Sequence, residues 1–108
     1  MNATTGNLFA AIASADNTGE IFESLLQHGT TRIERIISRG HTSPESGWYR
    51  QTHNEWVVVL RGGALISYDS GEEFRLEEGA YLNIPAGTAH RVAWTAPNVE
   101  TVWLAVHY

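Results

Sequence analysis

The stretch Gly79-Ala80-Tyr81-Leu82-Asn83-Ile84-Pro85-Ala86-Gly87-Thr88-Ala89-His90 decides how this chain folds. Its pattern, G-x5-P-x-G-x2-H, runs strand residues into a tight turn and places one histidine where the next strand begins. Pro and Gly preset backbone angles that other residues resist, so the turn fixes the direction in which His90 points. A ring aimed by a rigid turn suits a metal ligand or a general base, and the competing interpretation is a histidine that only caps the turn.

Turn signals recur at short intervals along the chain, and the runs between them are rich in Val, Ile, Thr, Trp and Tyr. Short, regularly spaced strands between Gly and Pro turns predict an all-β sandwich or barrel. The predicted strands are Arg32–Ser38, Gly47–Thr52, Glu55–Arg61, Ala64–Tyr68, Glu73–Leu76, Tyr81–Ile84, Ala89–Thr95 and Thr101–His107. Residues 20–27 fit a short helix or an edge strand, and the neighbouring strands favour the strand.

Size and charge exclude several classes of function. A chain of 108 residues with 43% hydrophobic residues can form one domain with a real core. The net charge of −5 and the lack of a basic cluster argue against binding to nucleic acid or to an anionic membrane. The sequence has no cysteine, and neither Lys nor Arg precedes the apolar stretch Leu8–Ala15. We therefore expect a cytoplasmic protein without disulfides.

The run Trp56–Leu60 is apolar at every position, whereas a strand with one solvated face would alternate. Both faces of this strand must therefore be covered. One face would point into the barrel, and the other would lie under an N-terminal segment or a partner subunit. We expect residues 1–31 to be that segment, residues 32–108 to form the barrel domain, and the chain to form a homodimer.

Glu55 opens this apolar strand, where a carboxylate is costly unless it is paired or used. It can form an ion pair with Arg50 or Arg91, or it can serve in a site. If the strand extends upstream without a break, alternation places four polar residues on one face: Tyr49, Gln51, His53 and Glu55. A bend near Asn54 would change which of these residues share a face.

Together these residues resemble the cupin superfamily, whose two motifs are G-x5-H-x-H-x3,4-E-x6-G and G-x5-P-x-G-x2-H-x3-N. The second motif matches from Gly79 through His90, with Trp94 in place of the final Asn. The end of the first motif matches as Glu55-x6-Gly62. The resemblance covers residues 32–108 and implies an antiparallel jelly-roll β-barrel, also called a double-stranded β-helix.

The resemblance also implies a metal site. In the family, the two histidines of the first motif, its Glu and the later His hold one divalent metal ion. Here Tyr49 and Gln51 stand at the histidine positions, so Glu55 and His90 carry over directly and Gln51 can supply an amide oxygen. This oxygen-richer set would bind Fe, Mn, Zn or Ni more weakly than the family's set. His107 would be a second imidazole if it faced inward, although a solvent-facing or hydrogen-bonded histidine is the competing interpretation.

Different functions are compatible with such a barrel. One is a metal-dependent enzyme of the dioxygenase, isomerase or decarboxylase type that acts on a small polar or acidic metabolite. In that enzyme Tyr49 or His53 would transfer protons. Another is a non-catalytic barrel that binds or senses a small ligand and has a weak or relict metal site. A third is a dimerisation domain. The remaining aromatic residues near the motifs, Trp94 and Trp103, are expected in the core or the cavity wall.

Overall fold

Eight β-strands form the protein in a computed structural model that describes residues 3–10, 20–40, 42–43 and 47–108. The strands are β1 (Ile21–His28), β2 (Thr31–Ser38), β3 (Glu55–Arg61), β4 (Ala64–Tyr68), β5 (Glu73–Leu76), β6 (Tyr81–Ile84), β7 (His90–Thr95) and β8 (Thr101–His107). The all-β prediction is confirmed, and the ambiguous segment after residue 20 is a strand. Within the described ranges, no helix is long and apolar enough to cross a membrane.

The strands form two antiparallel sheets, one in the order β1-β2-β8-β3-β6 and the other in the order β5-β4-β7. Strand β8 lies at the centre of the larger sheet and pairs with β2 on one side and with β3 on the other. The two registers place His107 opposite both Arg32 and Glu55. These three residues therefore form one row across the sheet, and their side chains share one face.

The core lies between the two sheets. On β3, Val57 and Val59 are 2% and 0% exposed and point inward, whereas Trp56, Val58 and Leu60 alternate with them and are half-buried. The inward residues of both sheets form one buried cluster: Ile36, Val57, Val59, Ala64, Ile66, Leu76, Ile84, Trp103 and Ala105. At one end of this cluster the inward positions become polar, and a cavity opens there.

Part of the outer face of the larger sheet lies under residues 3–10. The Arg35 guanidinium donates hydrogen bonds to the carbonyl oxygens of Leu8, at 2.9 Å, and Ala10, at 2.6 Å. The Arg61 guanidinium lies 4.6 Å from the centre of the Phe9 ring. These contacts place residues 8–10 against β2 and the end of β3, whereas the cover expected over the rest of the outer face of β3 stays a prediction. The division at residue 31 remains a prediction, since β1 lies before it and extends the sheet.

The predicted strand Gly47–Thr52 is wrong. Only Tyr49 makes a β-bridge in this segment, to His90, and residues 52–53 bend before β3 begins. The ladder does not lengthen because the neighbouring chain turns at residues 86–87 on one side of the bridge, and on the other side the Val92 backbone is hydrogen-bonded to Ser43. The bend also breaks the alternation between Gln51 and Glu55 on which a single polar face depended.

Candidate functional site

A cavity of about 380 Å³ opens at the polar end of the barrel, between the two sheets. Its floor is apolar, and its rim carries carboxylates, two imidazoles, an amide, hydroxyls and one guanidinium. The lining residues are Glu20, Phe22, Arg32, Glu34, Ile36, Ser43, Tyr49, Gln51, Glu55, Val57, Ile66, Ile84, His90, Val92, Trp103 and His107. An apolar pocket with a few convergent polar groups is the usual form of a small-molecule site.

The turn before β7 aims His90 into this cavity. Gly87 adopts a φ of 80°, which L side chains resist, and the Thr88 N–H donates to the carbonyl of Pro85 at 3.2 Å. The imidazole is 6% exposed, and its Nδ1 lies 3.0 Å from the carbonyl oxygen of Thr88. Since a carbonyl can only accept, Nδ1 carries a proton, and in the neutral ring Nε2 keeps its lone pair. A histidine ligand needs this tautomer to bind through Nε2.

Backbone hydrogen bonds hold the two halves of the site together. The Gly87 N–H donates to the carbonyl of Gln51 at 2.7 Å, and the Ala86 N–H donates to Oδ1 of Asn54 at 2.9 Å. Tyr49 and His90 exchange backbone hydrogen bonds of 2.9 and 3.0 Å. The segment before β3 is thereby fixed against the turn before β7, and Gln51 lines the same cavity as His90.

Glu55 has neither of the arginine partners that the sequence offered. Arg50 pairs with Asp69 at 3.3 Å, while Arg91 donates to the Ser43 carbonyl at 3.4 Å. Within the described part of the chain, the Glu55 carboxylate makes no hydrogen bond and no ion pair. A half-buried carboxylate in this condition lacks the partners that usually offset its desolvation.

The three predicted metal ligands, Glu55, His90 and Gln51, line one cavity. The residues fit a divalent ion in one respect: among the described residues, nothing competes for His90 Nε2, the Glu55 carboxylate or the Gln51 amide. However, the described chain contains no group of three His, Cys, Asp or Glu side chains arranged to hold a metal. The predicted set contains only two residues of those types, so its third donor must be the amide.

His107 faces the cavity but is already engaged at both ring nitrogens. Its Nε2–H donates to Oε1 of Glu34 at 2.8 Å, and its Nδ1 lies 3.0 Å from Nε2 of His53. His107 and Glu34 are 5% and 8% exposed. The interpretation of His107 as a hydrogen-bonded residue is therefore confirmed, and no nitrogen remains for a metal. Sequence reasoning missed Glu34, although a carboxylate inside an apolar strand was the signal that singled out Glu55.

The two predicted proton-transfer residues occupy different places. Tyr49 lies at the cavity mouth, is 52% exposed, and has its ring centre 6.1 Å from that of His90. His53 does not line the cavity, because the bend before β3 turns it aside, and it reaches the cavity only through His107. Trp103 forms part of the wall, as expected, whereas Trp94 lies outside it beside Arg75.

Comparison with known proteins agrees with this architecture. A cupin domain is matched over residues 37–107. This chain belongs to the cupin superfamily. The cupin is 42% identical to a protein of Ralstonia eutropha JMP134, provisionally named a mannose-6-phosphate isomerase, whose crystal structure superposes with a TM-score of 0.92. The match covers 97% of each chain.

Two further relatives place the cupin in a wider group. It is 35% identical over 79 residues to quercetin 2,3-dioxygenase of Bacillus subtilis (strain 168), which is 73% of this chain but 20% of that protein. The cupin therefore spans about a fifth of this relative's length. A cupin superfamily protein of Desulfitobacterium hafniense DCB-2 is 16% identical, has a TM-score of 0.75, and shares the fold over 99% of this chain and 93% of its own.

Proposed function

We propose that this cupin binds one divalent metal ion through His90, Glu55 and Gln51, and that it converts a small polar or acidic metabolite beside that ion. The observation that carries the proposal is the convergence of these three groups on one cavity with no competing hydrogen bonds among the described residues. One carboxylate, one imidazole and one amide suit Fe, Mn, Zn or Ni, since none of these donors restricts the choice further.

The residues around the ligands have separate tasks. Thr88 holds His90 in the tautomer that presents Nε2, while Trp103 and Ile66 contribute apolar wall that limits the water in the cavity. Tyr49 places a phenol at the mouth of the cavity, where it can donate a proton to a bound metabolite or accept one from it. His53 contributes through its hydrogen bond to His107 rather than by touching the metabolite. When bound, the metal would act as a Lewis acid and polarise a bond to an oxygen of the metabolite.

Dioxygenase, isomerase and decarboxylase chemistry are all compatible with this arrangement, because one fold can host different reactions. The names of two relatives suggest the first substrates to try. Quercetin represents the flavonols and mannose 6-phosphate represents the sugar phosphates. Turnover of each should be screened with protein loaded separately with Fe(II), Mn, Zn and Ni.

The alternative function is a barrel that binds a small ligand without turnover. It is favoured by the small number of charged ligands, since only Glu55 and His90 are of the types that dominate metal sites and the described chain assembles no third one. Ligand-induced thermal stabilisation without turnover under any metal loading would support this alternative over the enzyme.

Metal analysis tests the site itself. Protein purified without chelators, and then reloaded, should hold stoichiometric metal, and His90→Ala should lose it while keeping its fold. His28→Ala is a matched control, because His28 is exposed at the end of β1. If wild-type protein binds no metal under any loading condition, the proposed metal site is wrong.

We also propose that a second copy of the chain covers the rest of the outer face of the larger sheet. Trp56, Val58, Leu104 and Val106 point outward there and are half-buried, and Tyr81 beside them is 66% exposed. Contiguous apolar surface of this kind usually marks a protein interface. A homodimer would bury this surface symmetrically, as most soluble oligomers do.

A further inference from the structure

The basic residues of this chain are seven in number, and all are arginines. Six of them contact other groups, and among these groups Ser43 lines the cavity. Arg35 contacts Glu23 and the Leu8 and Ala10 carbonyls, Arg39 contacts Glu100, and Arg50 contacts Asp69. Arg61 lies over the Phe9 ring, Arg75 contacts Glu77 and the Trp94 ring, and Arg91 contacts the Ser43 carbonyl. Arg32 alone among the seven lines the cavity.

The guanidinium of Arg32 lies near the Glu34 carboxylate but does not form a hydrogen bond with it. Its Nη2 lies 3.7 Å from Oε2 of Glu34, which is beyond hydrogen-bond distance. Its Nε–H is buried and has no hydrogen-bond partner within the described residues. The other oxygen of Glu34 accepts the hydrogen bond from His107. The Arg32 side chain is 42% exposed, so N–H donors with a fixed positive charge remain available to a ligand at the cavity rim.

We propose that Arg32 binds the anionic group of the cavity's ligand, so that the ligand is a small carboxylate or phosphate monoester. The planar guanidinium presents parallel N–H donors that match two oxygens of either group. This inference rests on the proposed function only in placing the ligand in the same cavity. It makes Arg32 a specificity-determining residue, because a neutral analogue would leave the guanidinium unpaired.

The position of Arg32 also restricts the size of the ligand. Arg32, His107 and Glu55 occupy one row on three adjacent strands, so the outer two lie about 10 Å apart at the backbone. Their side chains both reach inward from that row. A ligand that contacts both ends is therefore a short molecule with an oxyanion at one end and a second oxygen function a few bonds away.

Three carboxylates also line the cavity, and their negative charges oppose the binding of an anion. Glu20 accepts a hydrogen bond from the Ser38 hydroxyl at 2.7 Å, and Glu34 accepts one from His107. Glu55 is the carboxylate without such a partner within the described chain, and it lies at the far end of the row. We therefore expect an anion to bind at Arg32 more tightly when a bound cation offsets the charge of Glu55.

Binding measurements with defined anions test the inference. Malonate and glycerol 3-phosphate represent carboxylates and phosphate monoesters, and malonamide and glycerol are their neutral counterparts. Kd is measured by calorimetry for wild type, Arg32→Gln and Arg32→Lys, with Arg75→Gln as the control on the outer surface. Circular dichroism and metal content are recorded on the same samples.

We expect at least one anion to bind, its neutral counterpart to fail, and Arg32→Gln to weaken binding about tenfold or more. The Kd of Arg32→Lys should lie between those of wild type and Arg32→Gln, because lysine keeps the positive charge but lacks the paired N–H donors of the guanidinium. The two anion series decide whether the oxyanion is a carboxylate or a phosphate. Equal binding by folded Arg32→Gln, equal binding of the neutral counterparts, or no anion binding by wild type would each overturn the inference. Anion binding by a wild type that takes up no metal would overturn only the proposed metal site.

Discussion

Glu34 and His107, which are 73 residues apart in the chain, share a hydrogen bond of 2.8 Å. The two residues are 8% and 5% exposed, so water has little access to this bond. The bond joins β2 to β8 on the face that lines the cavity. It also holds His107 in the orientation that receives His53. The pair therefore stabilises the central strand of the sheet and shapes the rim of the cavity at once.

Replacing Glu34 with Ala should lower the free energy of unfolding by about 1–3 kcal/mol, since the Nε2–H of His107 is then buried without an acceptor. Chemical denaturation monitored by tryptophan fluorescence measures this change. Glu77→Ala should change stability by less than about 0.5 kcal/mol, because the Glu77 side chain is 82% exposed. Equal losses in the two variants would contradict the role given to the Glu34–His107 bond.

Gly62, the last residue of the first cupin motif, should not tolerate a side chain. Its φ is 90°, and a Cβ built there would lie 2.5 Å from Oγ1 and 2.8 Å from Cα of Thr101. We expect Gly62→Ala to cost about 2 kcal/mol or more, because backbone strain and a clash with backbone add together.

Gly71→Ala separates these two effects. Gly71 has a similar φ of 96°, but a Cβ there would meet nothing within 4 Å. This variant should lose only the strain, about 1 kcal/mol. If thermal unfolding shows equal losses for Gly62→Ala and Gly71→Ala, the contact with Thr101 does not explain the motif glycine.

Tyr68 should make the protein less stable at alkaline pH. Burial, and after it the negative charge of Glu72, raises the pKa of the Tyr68 phenol above its usual 10.0. The folded state then holds this proton at a pH where the unfolded state releases it. Stability associated with Tyr68 is thus fully present below about pH 10 and declines as the pH rises above that value.

Unfolding free energies measured from pH 8 to pH 11 test this expectation, and the pH range is set by the usual pKa of tyrosine, about 10. Tyr68→Phe should reduce the alkaline decline relative to wild type. Glu72→Gln should reduce it less, because the charge of Glu72 is the smaller of the two causes of the raised pKa. An unchanged alkaline decline in Tyr68→Phe would show that another group causes it.

The outer face of the larger sheet gives a prediction about assembly. Val58 and Leu104 pair across β3 and β8 and point away from the cavity. Light scattering should report twice the 12.0 kDa chain mass for wild type and the chain mass for Leu104→Lys. Leu65→Lys is the matched control, since Leu65 is also half-buried but lies on the outer face of the smaller sheet. A wild type that remains a monomer at high concentration would contradict the proposed dimer.

The fold could be predicted to a large extent because its signals are local. The turn at Pro85 and Gly87 and the alternating burial along β3 both follow from residues close together in sequence. The segment Gly47–Thr52 was mispredicted because its strand-like composition does not reveal that its partner turns away after one bridge. Propensity describes a segment, whereas pairing also depends on what lies beside it.

The site was only partly predictable for the same reason. His90 and Glu55 carry motif spacing, and both line the cavity. Arg32 and Glu34 lie outside both motifs, and they reach the cavity because β2 pairs with β8 in a register that the sequence does not specify. His53 fails to reach the cavity because of a bend that depends on contacts distant in the chain.

The central position of β8 determines when the larger sheet can close during folding. In the order β1-β2-β8-β3-β6, β8 follows the other seven strands in the chain and lies between the pair β1-β2 and the pair β3-β6. During translation, β2 and β3 each keep one edge unpaired until residues 101–107 leave the ribosome. Since the sheet depends on contacts between residues distant in sequence, we expect closure to be a late and slow step. The row from Arg32 through His107 to Glu55 is therefore completed only when β8 pairs with both neighbours.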